Sequence, residues 1–173
     1  LLLPPGLAGS ASNAVAGSQM GEVVEQLSLE SRVEIWSRAL YALQDFPFTG
    51  VGLGTFRRVV NLLYPLFLTP PDTDIGHAHN VFLQAGVDLG LGGLVAYLAL
   101  VIIAGVTGWQ VAHETGGFLQ PVAVGLVAAL IGYHVYGMAD ALALGSKPSV
   151  LLWMILGLIA ALANRHGDRA WAS

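Results

Sequence analysis

The chain has 173 residues, 55% of them hydrophobic and 10% charged, with a formal net charge of -4 and no cysteine. With a mean hydropathy of +0.68, it is no disordered tail, no basic nucleic-acid arm and no ordinary soluble enzyme, which would be about 25% charged; it reads as a membrane protein. Lack of cysteine excludes disulfide frameworks, thiolate metal sites and a cysteine nucleophile.

In chain order, Leu1–Ala8 (LLLPPGLA) is apolar with no basic stretch before it, unlike a signal peptide. It is expected to be the end of a membrane span, which makes the chain the C-terminal portion of a larger protein. Gly9–Met20 is rich in Ser, Ala, Gly and Asn and reads as a flexible connection. Between Gly9 and Gly90 lie eight acidic and four basic residues, whereas only Glu114, Asp140 and Lys147 are charged from Leu91 to Ala163. A polar segment (9–90) is therefore expected to precede a membrane segment (91–164) and a short tail (165–173).

Within the polar segment, Ser31 followed by Glu34 has capping-box spacing. Val33, Trp36, Leu40 and Leu43 then recur as one helical stripe, ended by Pro47. Phe46–Gly54 (FPFTGVGLG) lacks the third glycine and the preceding strand of a dinucleotide-binding turn. It reads instead as a tight turn that needs glycine. Thr55 is expected to cap a helix over Phe56–Tyr64 that stops at Pro65, and Leu68–Gly76 is loop. Asn80–Asp88 reads as helix leading through Gly90 into the first span.

Leu91–Ala112 and Phe118–Ala139 each exceed the roughly 20 residues needed to cross about 30 Å of hydrocarbon. Pro148–Ala163 is slightly short but is the best reading of a third span. Trp109 and Trp153 fall near the expected interfaces. His113–Gly117 and Gly145–Lys147 are the connectors.

His77-Ala78-His79 is expected to put two imidazoles on one side of an extended segment. With Asp72 or Asp74 such a pair binds zinc. It also suits a general base and its neighbour, and His and Asn before a helix also cap it; the residues leave the three roles open. Arg32 and Trp36 share a helix face. An arginine beside an apolar stripe suits a phosphate or pyrophosphate, because guanidinium is always charged and forks bidentately; the alternative is a surface pair with Glu30 or Glu34. Arg57 and Arg58 are further anion candidates. His134, inside the second span, is either a functional ionisable group or an interhelical hydrogen bond, and Asp140 is expected to position a loop.

Ser31–Trp36 (SRVEIW), Asp45–Phe56 (DFPFTGVGLGTF), His77–Gln84 (HAHNVFLQ) and Asp88-Leu89-Gly90 before an apolar span closely resemble, in order and spacing, the O-antigen ligase/polymerase family over roughly residues 28–163. Asp88 stands where that family more often has Glu. The resemblance implies an all-α polytopic membrane fold, GT-C-like, with a large external loop of short helices followed by about three transmembrane helices. It implies transfer of a glycan from undecaprenyl diphosphate to an acceptor hydroxyl, as ligase or polymerase, with inversion and without a metal or other cofactor. The implied partners are a lipid-linked glycan donor, a glycan or lipid-glycan acceptor and membrane lipid, with no nucleic acid. The arginine matching Arg32 is implied to bind the diphosphate, with Trp36, Arg57, Arg58 and Asn80 as further substrate-binding residues. The histidine matching His79, or less so His77, is implied to act as the base. A departing diphosphate needs a cation and an attacking hydroxyl needs a base, which an imidazole of pKa about 6.5 supplies. Two other classes are a non-catalytic transport or scaffold subunit for lipid-linked glycans, and a zinc-dependent membrane hydrolase using His77, His79 and Asp72 or Asp74.

The expected location is the cytoplasmic (inner) membrane, with the 9–90 loop facing the periplasm. Three spans after the loop put the tail on the opposite side, and Arg165 and Arg169 assign that side to the cytoplasm.

Overall fold

Uncharged runs of Leu, Val, Ala and Ile have no partner for their backbone groups in hydrocarbon except their own turns, so they form helices. The computed structural model describes residues 29–68, 75–140 and 149–171. These hold five helices and no strand: α1 (29–45), α2 (Phe56–Leu63), α3 (Val81–Glu114), α4 (Leu119–Gly137) and α5 (Ser149–Trp171). Leu1–Ala8, Gly9–Met20, Asp72, Asp74 and the Gly145–Lys147 connector lie outside the described residues.

Helices α3, α4 and α5 pack against one another. α3 and α4 are long and apolar enough to cross a membrane, while the apolar part of α5, Ser149–Arg165, is shorter. Tyr97, Ala104, Leu130, Tyr133, Leu152 and Ile155 meet in their shared core. Ile102, Ile103, Val135 and Trp153 point outward and stay more than half exposed, the all-round apolar surface of helices that face lipid. Where α3 crosses α4, a Cβ on Gly108 would come within 2.8 Å of Val127 Cγ2, so a small residue permits the close approach. α5 does not stop at 164 but runs on to Trp171; no proline interrupts the sequence there, so the expected tail begins as a continuation of the helix.

A second core joins α1, α2 and the start of α3, built from Ile35, Ala39, Ala42, Phe56, Val60, Tyr64, Ile75, Ala78 and Val87. Three local expectations are corrected here. The buried face of α1 is Ile35, Ala39 and Ala42, whereas Val33 and Leu40 of the predicted stripe are 60% and 46% exposed. Close packing selects the small alanines, and large apolar side chains in a membrane-bound chain also face outward. Ser31 is no N-cap, since the chain is already helical at residue 29. Glu34 instead accepts hydrogen bonds from the backbone N–H groups of Phe67 and Leu68, at 2.6 and 2.9 Å, and so fastens the segment after α2 to α1. Thr55 occupies the N-cap position of α2 without capping it through its side chain; its hydroxyl donates to the carbonyls of Val51 and Gly52 and closes the glycine turn. Tyr64 donates to Asp45, and burial together with that carboxylate pushes its phenol up to about 12.

The glycine turn has a specific counterpart in α3. Gly90 sits inside α3 with φ 72 and ψ -175, so the helix is kinked there. A kink frees the carbonyls before it and an N–H after it. The turn meets these groups one for one: Val51 N–H donates to Val87 O at 2.7 Å, Gly52 N–H to Asp88 O at 3.2 Å, and Leu91 N–H to Pro47 O at 2.7 Å. Contact is so close that a Cβ on Gly50 would lie 2.4 Å from Val87 O, and one on Gly90 2.7 Å from the Phe48 carbonyl. The expected glycine-dependent turn is present, and its purpose is to clasp the kink that introduces the membrane part of α3.

Candidate functional site

Immediately before α3, residues 75–80 turn rather than extend. Asn80 is the N-cap of α3, with Oδ1 accepting from Phe82 N–H and Leu83 N–H at 3.0 and 3.1 Å. Its Nδ2 donates to Met138 O at 3.3 Å, which ties the start of α3 to the end of α4. Both ends of the Asn80 side chain are thus engaged in building the site. Gln84, one turn into α3, accepts from Ala78 N–H at 2.7 Å and donates to Asp88 Oδ1 at 2.8 Å. Asp88 Oδ1 also accepts from Gly54 N–H at 3.3 Å. Gln84 and Asp88 are each 1% exposed, so a buried polar chain links the glycine turn to the peptide between the two histidines.

That framework holds His79 at φ 47, the one left-handed non-glycine residue among the described residues. Such strain persists only where surrounding contacts over-determine it, and it gathers at functional positions. The rings of His77 and His79 meet edge to face, with centroids 4.5 Å apart. The expected juxtaposition is therefore present, but a turn produces it and not the alternation of an extended strand. Both side chains are half-buried. Burial, and then the neighbouring His79 imidazole, holds His77 below the ordinary histidine range, with Asp140 acting the other way.

The carboxylate beside the histidines is Asp140, at the end of α4. Its Oδ1 lies 3.4 Å from His79 Nδ1, and Oδ2 accepts from Tyr136 O–H at 2.9 Å. Sequence reasoning gave Asp140 only a loop-positioning role. The signal available to it was an acidic residue at the end of an apolar span; its distance from His79 along the chain hid the pairing.

Arg32 and Trp36 share a face of α1 and are both half-buried. Glu34, one of two carboxylates offered as a surface partner for Arg32, is engaged elsewhere: it holds the Phe67 and Leu68 amides and sits 3.7 Å from Arg38. Arg38 in turn lies over the rings of Phe67 and Tyr41. Trp36 Nε1 is buried and finds no hydrogen-bond partner among the described residues. Arg57 and Arg58 are both exposed on α2, off its buried Phe56 and Val60 face.

His134 has a structural explanation. Its Nδ1 lies 2.8 Å from Leu130 O, which makes that nitrogen the donor, and Nε2 then accepts from Tyr97 O–H at 2.8 Å. This is the interhelical hydrogen bond between α3 and α4.

As donors for a metal, His77, His79 and Asp140 each offer one atom, all within 4.8 Å of one another. The arrangement thus brings together two imidazoles and a carboxylate at the ends of two spanning-length helices. Residues 6–98, more than half of the chain, match a family model described as O-antigen ligase. The matched stretch contains Arg32, Trp36, Arg57, Arg58, His77, His79 and Asn80, while Asp140 lies beyond it. No curated protein and no solved structure matches the chain.

Proposed function

The chain belongs to the O-antigen ligase family, and from that membership we propose that it transfers a glycan from undecaprenyl diphosphate to an acceptor hydroxyl, with inversion at the sugar and without a catalytic metal. The observation that carries the proposal is the strained His79 facing Asp140. In this reading Asp140 faces Nδ1, so His79 presents Nε2 to the acceptor hydroxyl and accepts its proton as the bond to the sugar forms. Asp140, 3.4 Å from Nδ1, supplies the negative charge that stabilises the imidazolium as it forms. Arg32 meets the charge left on the departing diphosphate, with Trp36 beside it and Arg57 and Arg58 as outer anion contacts. The helices leading from this cluster into the membrane give the lipid tail of the donor an apolar surface.

A metal-dependent hydrolase is the second reading, favoured by the three donors within 4.8 Å. A chelator separates the two. Transfer by the purified full-length protein is expected to persist in EDTA; activity lost with a stoichiometric zinc ion, and restored with it, would decide for the hydrolase.

We also propose that residues 9–90 face the periplasm, that α5 is the third span and that the C-terminus is cytoplasmic. Single cysteines test this cleanly in a chain that has none. With a membrane-impermeant thiol reagent on intact cells, Ser18→Cys is expected to label and Ser173→Cys to stay unlabelled. Labelling at both ends would mean that α5 does not cross; labelling of the tail alone would invert the topology and defeat the transferase reading.

A further inference from the structure

We propose that His77, His79 and Asp140 form a transition-metal site, best suited to zinc, whose occupation switches the transferase off. The separation of His79 Nδ1 and Asp140 Oδ1, 3.4 Å, is longer than a good hydrogen bond. It is the spacing of two ligands on one tetrahedral ion: bonds of about 2.0–2.1 Å set neighbouring donors about 3.3–3.4 Å apart. The third donor, on His77, is within 4.8 Å of the others, so its ring must move closer to share the ion. Nδ1 of His77 and Nδ1 of His79 are buried and find no hydrogen-bond partner among the described residues. Two imidazoles and one carboxylate are the donor set that zinc and cobalt prefer over magnesium or calcium. Three protein ligands leave the fourth position to water.

The blockade follows from the chemistry of imidazole and rests on the transferase reading above. An imidazole that binds a metal through Nδ1 keeps its remaining proton on Nε2. Nε2 then has no lone pair for the acceptor hydroxyl, and Asp140 is turned from the imidazole to the metal. The ion therefore competes with catalysis rather than serving it, and transfer is metal-independent yet zinc-sensitive.

Cobalt(II) is the probe, because a four-coordinate cobalt centre absorbs visible light far more strongly than the hydrated ion. Titration of the purified full-length protein is expected to develop this absorption at one equivalent, and zinc to abolish it by displacement. His77→Gln and the near-isosteric Asp140→Asn are each expected to weaken cobalt binding by about tenfold or more. Zinc is expected to inhibit transfer by the wild type, and EDTA to restore it. No visible band in the wild type, equal binding in both variants, or undiminished transfer at saturating zinc would each overturn the proposal. The transferase reading fails separately, if metal-free wild-type protein transfers no glycan while still binding cobalt.

Discussion

Replacing His79 by alanine is expected to lower glycan transfer by about 10²–10⁴-fold, the contribution of a positioned general base, while the amount of protein in the membrane stays the same. The ring is half-buried at the end of a loop, where it lies against His77 and Asp140, so its loss chiefly removes chemistry. Arg32→Ala is expected to cost a comparable factor by leaving the diphosphate charge unmet. His77→Ala is expected to be milder, because that imidazole lies against His79 and not between it and Asp140. Asp140→Asn keeps the shape and the Tyr136 contact but removes the charge that stabilises an imidazolium, so transfer falls and its pH dependence changes. Glycan profiles on gels beside protein blots read all four. Wild-type transfer in His79→Ala would remove that residue from the mechanism.

The second large effect is on folding. Gly50→Ala is expected to destabilise the protein by about 2–6 kcal/mol, combining a left-handed backbone with overpacking. At φ 62, the added Cβ would lie 2.4 Å from Val87 O and 2.6 Å from Gly90 N, both backbone atoms that have nowhere to retreat. Pushing them apart breaks the Val51–Val87 and Leu91–Pro47 hydrogen bonds and leaves the kink in α3 unsatisfied. Gly54→Ala is the internal control: φ is 69, but nothing lies within 4 Å of its Cβ position, so only the backbone cost of about 1–2 kcal/mol applies. Thermal unfolding in detergent, with membrane abundance as a second measure, compares the two. Equal losses would show that the clasp contributes nothing beyond glycine's freedom in φ.

What was legible in the sequence was local. Apolar runs longer than a bilayer gave α3 and α4, because in hydrocarbon a helix is the only way to satisfy such a backbone. Pro47 ended α1 and three closely spaced glycines marked a turn with positive φ at each, since these residues restrict or release φ regardless of their surroundings. His77 and His79 announced themselves because they are two apart in a chain with only five histidines. Four motifs in order carried the family, and the family model agrees over 6–98.

Everything that joins distant segments was decided by packing. The face of α1 was misread because large apolar residues serve lipid and core alike, and only the approach of α2 selects Ala39 and Ala42. Glu34 left the capping box for the Phe67 and Leu68 amides, which lie 33 and 34 residues away in sequence. Gln84 and Asp88 show no special pattern, yet their hydrogen bonds fix the peptide that holds the histidines. Asp140 is the plainest case: a carboxylate ending one apolar helix becomes the partner of His79 only because Asn80 fastens the start of α3 to Met138. Sequence periodicity reports how one helix turns relative to itself; which of its residues meet another helix depends on the crossing of the two, and that exists only in the folded chain.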